Sequence, residues 1–175
     1  MILDVLCKMN ADQAADLMRK SLASHEFNEV AKWLRSEVSG VRMDFLRERI
    51  NHSAILRLAM SCVNDRGEAQ ELFRLGLDSI MYANSQKTKL WTQFGVTKIG
   101  AKRAITEISN RVDSQPHVVD MALYWLPSMI PEGDSSRDSL VQLQNLAKRL
   151  DLIKPVRKTV HEDGSITFSD RYGNL

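Results

Sequence analysis

Lys98, Lys102 and Arg103 fall within six residues that contain no carboxylate, a spacing that suits phosphate contact better than any reaction. They belong to the most one-sided stretch of charge in the chain. From Lys87 to Val112 six cations, Lys89 and Arg111 among them, face the single carboxylate of Glu107. The first fifty residues, by contrast, hold eight cations and eight carboxylates. The formal net charge of +2 is too mild to mark a nucleic-acid binder by itself, so the argument rests on this local excess. Residues suited to bond-breaking chemistry are scattered. His25, His52, His117 and His161 lie far apart, and only His117 with Asp120 shares a helix face, an i, i+3 pair that reads as a surface hydrogen bond. There is no His-Glu-x-x-His, no Cys-x-x-Cys and no glycine-rich phosphate loop, and Gly95 and Gly100 before Lys102 lack Walker spacing. The sequence therefore predicts a protein that is not an enzyme, with no catalytic residue, metal, cofactor or small-molecule substrate.

The elements that must carry the three cations read as helix, turn and helix. Leu90-Trp91-Thr92-Gln93-Phe94-Gly95-Val96-Thr97 followed by Lys98-Ile99-Gly100-Ala101-Lys102-Arg103-Ala104-Ile105 resembles a helix-turn-helix. The resemblance implies that Gly95 takes the left-handed turn position, where the missing Cβ removes the steric cost, and that Thr97 caps the second helix. Ala101, Ala104 and Ile105 then face inward, and Lys98, Lys102 and Arg103 face a DNA groove. Trp91 stands where the two helices approach, which predicts a wide crossing, and Gly100 falls inside the second helix. Two ordinary packed helices joined at a glycine C-cap fit the same residues without DNA.

A chain of 175 residues with 43% hydrophobic content can bury a sizeable core, and helical periodicity dominates it. Asn10-Ala11-Asp12-Gln13 has capping-box form and opens a helix carrying Ala14, Leu17, Met18 and Leu22. Phe27, Val30, Ala31, Leu34 and Val38 mark the next face, after Ser24 as cap. Val41, Phe45, Leu46 and Ile50 follow, then the very apolar Ile55, Leu56, Leu58, Ala59 and Val63. Asn64-Asp65-Arg66-Gly67 breaks the chain. The helix from Ala69 to Met81 resembles the second helix of a tetratricopeptide repeat at Ala69, Phe73 and Gly76 only, with no recurrence at that repeat length. Pro116 opens a helix that Pro127 should end, and Ser135-Ser136-Arg137-Asp138 caps another, bearing Leu140, Leu143, Leu146, Ala147 and Leu150. Cys7 and Cys62 read as small buried hydrophobes in a reducing compartment, with a disulfide left open. The eight methionines and Trp33, Trp91 and Trp125 read chiefly as core. No apolar run reaches membrane-span length and the start has no signal-peptide pattern, which predicts a cytoplasmic protein, of a host cell if the chain is viral.

The last residues change pattern. Val156, Val160, Ile166 and Phe168 alternate with polar residues around Glu162-Asp163-Gly164-Ser165, the mark of a β-hairpin. A two-residue Asp-Gly turn would set Val160 against Thr167; a three-residue loop sets Val160 against Ile166 and is favoured, since it keeps the apolar residues on one face. The fold class is thus all-α, with about seven to eight helices and a small C-terminal β-hairpin. The helical domain spans 1–153 and the hairpin and tail 154–175. Leu143-x-x-Leu146-Ala147-x-x-Leu150 before a basic strand and a hairpin also resembles the recognition helix and wing of winged-helix regulators. That resemblance implies groove contacts from Gln142, Asn145, Lys148 and Arg149, and wing contacts from Arg157, Lys158 and His161.

Lys89, Lys98, Lys102, Arg103, Lys148, Arg149, Arg157 and Lys158 are accordingly the candidate nucleic-acid contacts, and double-stranded DNA the candidate partner of a small regulatory protein. The alternative is a non-catalytic helical adaptor or assembly protein, viral or secretion-type, that binds another protein or a second copy of itself. An exposed apolar patch on the Ala69 to Met81 helix would favour it.

Overall fold

Aspartate 65 takes an extended backbone and accepts a hydrogen bond from the Glu68 amide at 2.9 Å, turning the break at Asn64-Asp65 into the start of a central helix. The computed structural model describes residues 24–51, 53–80, 84–150, 152, 157–160 and 166–169. These form α1 (Ser24–Ser36), α2 (Ser39–Glu48), α3 (Ser53–Cys62), α4 (Arg66–Asp78), α5 (Ser85–Ile99), α6 (Ala101–Ser109), α7 (Pro116–Met129) and α8 (Arg137–Arg149). The protein is therefore mostly α-helical. The expected helix over residues 10–22 lies outside the described residues, as does Met81.

Helix α5 is the hub, packing on α3, α4, α6 and α7. Its closest partner is α4, and two glycines explain why. A Cβ on Gly76 of α4 would lie 2.3 Å from the Trp91 ring of α5, and a Cβ on Gly95 of α5 would lie 2.6 Å from the Phe73 ring of α4. Each helix thus offers an aromatic ring to a glycine on the other, and both rings are buried. One hydrophobic cluster draws side chains from all eight helices, from Val30 and Leu34 on α1 to Leu143 and Ala147 on α8. The adaptor-favouring patch on α4 is not found among the described residues. Ala69, Leu72, Phe73, Leu77 and Ile80 are all buried, because α4 packs against both α2 and α5.

Three guanidinium groups tie the helices together. Arg42 grips Glu68 with two hydrogen bonds, at 2.7 and 3.1 Å, while also donating to the Leu34 and Glu37 carbonyls at the end of α1. Glu107 of α6 accepts from Arg74 and Gln70 of α4, and Arg111 donates to the Glu107 and Arg74 carbonyls and to Asp78. Such bidentate pairs are directional as well as charged, so they fix the relation of α6 to α4.

Several helix ends differ from expectation. Helix α7 continues to Met129 with Pro127 in its last turn, where a proline forfeits only one backbone donor. Arg137 then caps it, donating to the Pro127, Ile130 and Pro131 carbonyls. Ser136 precedes α8 but makes no side-chain cap bond; Asp134 accepts instead from the Ser136 amide and hydroxyl, at 2.7 and 2.6 Å. Val38 lies beyond α1 at the entry to α2 and is exposed, and Leu146 and Leu150 lie at the exposed margin of α8. Beyond α8, Arg157–Val160 and Ile166–Ser169 pair antiparallel with Val160 opposite Ile166; residues 161–165 between them lie outside the described residues. No helix among the described residues is long and apolar enough to cross a membrane.

Candidate nucleic-acid interface

The turn in the basic segment is made by Gly100. Its φ of 93° and ψ of 149° place it in a region essentially reserved for glycine, and α5 ends there before α6 begins. Gly95 and Thr97, expected to make the turn and the cap, lie within α5 instead. The physical reason for Gly95 is the Phe73 ring, which fills the space a side chain would need. Trp91 likewise packs on Gly76 of α4 rather than widening a crossing with α6. Ala104 and Ile105 are buried and Ala101 is half-buried, as the inward face requires.

The six cations of the basic stretch have different fates. Lys87 donates to Asn51 and to the Ser79 carbonyl at 3.1 and 3.0 Å, and its burial pushes its pKa below the ordinary lysine value. Lys89 sits 4.5 Å over the centre of the Trp125 ring, a cation–π contact that holds the indole against α5 while Trp125 Nε1 donates to Ser85 Oγ. Arg111 is buried in the Glu107 network. Lys98 is half-buried in the last turn of α5, where its charge suits the helix dipole, close enough to Cys62 to favour that thiolate slightly. Burial still dominates at Cys62, raising its thiol to about 11. Lys102 and Arg103 remain exposed, and no ion pair reaches either of them among the described residues.

Both stand in the first turn of α6, a helix whose start carries no side-chain cap and no acidic residue. Positive charge there opposes the helix dipole, so within this chain the two side chains are mildly unfavourable. An anion reverses the sign. The first amides of a helix lack intrahelical partners, so with two flanking cations the start of α6 is a region of positive potential. Lys148 and Arg149 are exposed as well, but they occupy the last turn of α8, where the dipole itself favours cations. Gln142 and Asn145 are exposed on the same helix. Arg157 and Lys158 lie on the first strand, with side chains outside the described residues, and His161 is outside them altogether.

His117 Nε2 bonds the Ile80 carbonyl at 2.9 Å, and Asp120 is buried rather than on the surface as the spacing suggests. Among the described residues no three His, Cys, Asp or Glu side chains converge as a metal site would need. Two features are not evident from the sequence. Arg111 counts toward the basic excess but is held by Asp78, 33 residues earlier, and Tyr124, 70% exposed with its ring edge-on to Trp125, is an open aromatic on α7.

The described residues are thus mostly helical, and the start of α6 carries two exposed cations with neither a side-chain cap nor an acidic residue beside them. Compared with protein-family models, curated proteins and solved structures, the chain matches none.

Proposed function

We propose that the chain is a small, cytoplasmic, helical DNA-binding regulatory protein that seizes the phosphate backbone of a duplex with the first turn of α6. The observation that carries this reading is the exposure of Lys102 and Arg103 at an uncapped helix start, without an ion pair among the described residues, while Lys87, Lys89 and Arg111 of the same stretch are consumed by the fold. Retaining like charges at the positive end of a helix has no structural benefit, and an external anion supplies one. Lys98 lies at the end of the preceding helix and adds to the local field. Lys148 and Arg149, with Arg157 and Lys158 on the C-terminal hairpin, form a second set of backbone contacts if that hairpin acts as a wing.

Fluorescence anisotropy of a labelled mixed-sequence DNA duplex, at low and at physiological salt and beside a matching RNA duplex, tests the reading. Binding should weaken steeply with salt because phosphate contacts release counterions, at about 0.9 of log K per log salt for each contact. Lys102→Ala with Arg103→Ala should lower affinity and flatten that slope by about 2. Binding with an unaltered slope in the double variant, or no binding at low salt, rejects the assignment. In the latter case a protein partner or a homodimer becomes the function to test.

A further inference from the structure

Tyr124 of α7 stands perpendicular to Trp125, with the ring centres 4.7 Å apart, and most of the phenol is open to solvent. Trp125 in turn carries the Lys89 ammonium over its face, and Lys89 lines a cleft of about 330 Å³ between α5 and α7. Gln93 and Thr97 of α5 and Ser128 of α7 complete its polar lining. Ser128 follows Tyr124 by four residues, so both stand on one face of α7. Gln93 also lines the neighbouring cleft, where Arg57 of α3 sits 4.8 Å over the Phe27 ring. We propose that this face of the protein binds an unpaired nucleic-acid strand, with a base stacked on Tyr124, phosphates held by Lys89 and Arg57, and hydrogen bonds supplied by Gln93 and Thr97.

Charge selects an anionic occupant. No carboxylate lines either cleft among the described residues, and α3, α5 and α7 together carry Arg57, Lys87, Lys89 and Lys98 against Asp120 alone, which is buried. Neither Lys89 nor Arg57 has an ion pair among the described residues. An aromatic ring fixes such a cation without neutralising it, so its charge and N–H donors remain for a phosphate. The open ring then selects among anions. A single strand needs a cationic groove for its backbone and an aromatic face for its bases, whereas a duplex keeps its bases stacked on one another. An acidic peptide would answer the cations and give Tyr124 nothing to stack on. Gln93 and Thr97 are exposed, so base edges or sugar hydroxyls can replace the water they hold. Lys102 and Arg103 line neither cleft, which makes single-strand binding here independent of duplex binding at α6.

Fluorescence anisotropy of the full chain with labelled oligo-dT and oligo-U tests this, beside an abasic strand of the same length and a polyglutamate peptide of the same charge. The base-bearing strands should bind more tightly than either control, and the tighter of the two identifies the sugar. Tyr124→Ala should weaken that binding about five- to a hundredfold, Tyr124→Phe should leave it intact, and neither should lower the melting temperature, because the side chain is exposed. Lys89→Gln should flatten the salt dependence by about 0.7 of log K per log salt, the loss of one single-strand phosphate contact, and Lys89→Arg should not. The fold-loss from Tyr124→Ala should be the same in a Lys102→Ala with Arg103→Ala background, so failure of the duplex contact at α6 and failure of this site read out separately. No binding at low salt, equal affinity for the abasic strand, or unchanged affinity in Tyr124→Ala overturns the proposal. Tighter binding of the peptide also overturns it, and makes the face a site for an acidic protein.

Discussion

Gly76 lies flat against the indole of Trp91, so close that a Cβ at position 76 would come within 2.3 Å of the ring. The reciprocal contact of Gly95 with Phe73 makes α4 and α5 an interlocked pair, which is why Gly95 lies within α5 and leaves the turn of the basic segment to Gly100.

Gly76→Ala should therefore destabilise the protein. Alanine gains about 1 kcal/mol of helix propensity, yet overpacking against a rigid ring costs roughly 1–3 kcal/mol and requires α4 to move off α5. In a Trp91→Leu background the same change should become neutral or stabilising, because the ring is gone. Chemical denaturation of the four proteins of this double-mutant cycle measures the coupling; additivity would show that ring and glycine do not meet.

Gly100 presents the opposite case. Nothing lies within 4 Å of where its Cβ would be, so Gly100→Ala meets no clash and only backbone strain. That strain, at φ 93° and ψ 149°, should cost about 1–3 kcal/mol. D-alanine introduced by chemical ligation suits a positive φ and should restore most of the loss. If L-alanine is harmless in a thermal melt, the turn is not where the structure puts it.

Acid should unfold the protein through its buried carboxylates. The Arg74 hydrogen bonds hold Glu107 below the ordinary carboxylate value, helped by Gln70 and the charge of Arg111 and opposed by desolvation. At Glu68 desolvation is the largest single influence and pushes upward, but the bonds from Arg42 and Ser39 outweigh it. Both native pKa values thus lie below the unfolded value of 4.5, so the unfolded state takes up protons first. Stability from these groups is complete above that value and falls as pH drops through it toward the native pKa. Urea melts from pH 7 to about pH 3 should show this loss, and Glu107→Gln should be weaker at neutral pH but flatter across the window. An equally steep loss in that variant would acquit Glu107.

Lys102 and Arg103 should separate function from stability. Replacing both with alanine removes like charge from the start of α6 and should raise stability slightly, by about 0.3–1 kcal/mol for each at low salt. The same change should weaken DNA binding. A fall in melting temperature would mark these side chains as structural, whatever happens to binding.

Much of the helical architecture was legible in the chain. Apolar spacing placed the helices of Val30 and Leu34, Leu72 and Phe73, and Leu140 and Leu143, since burial of one face is a local demand written at 3.6-residue intervals. Asn64 to Gly67 was legible as a break because Asp65 caps the helix that begins at Arg66. The site was only half legible. Lys102 and Arg103 stand exposed as their pattern required, but a count of cations could not reveal that Lys89 is held by Trp125 and Arg111 by Asp78, because those partners are 36 and 33 residues away and meet only in the folded chain.

Between two glycines five residues apart, sequence alone had no means to choose the turn. Either can adopt a positive φ, and either costs a helix about the same. Composition and periodicity determined that this would be a bundle of amphipathic helices with a local cationic excess. Tertiary structure decided that Gly95 serves close packing and Gly100 the break between α5 and α6, because only the approach of Phe73 distinguishes a glycine that must lack a side chain from one that must turn the chain.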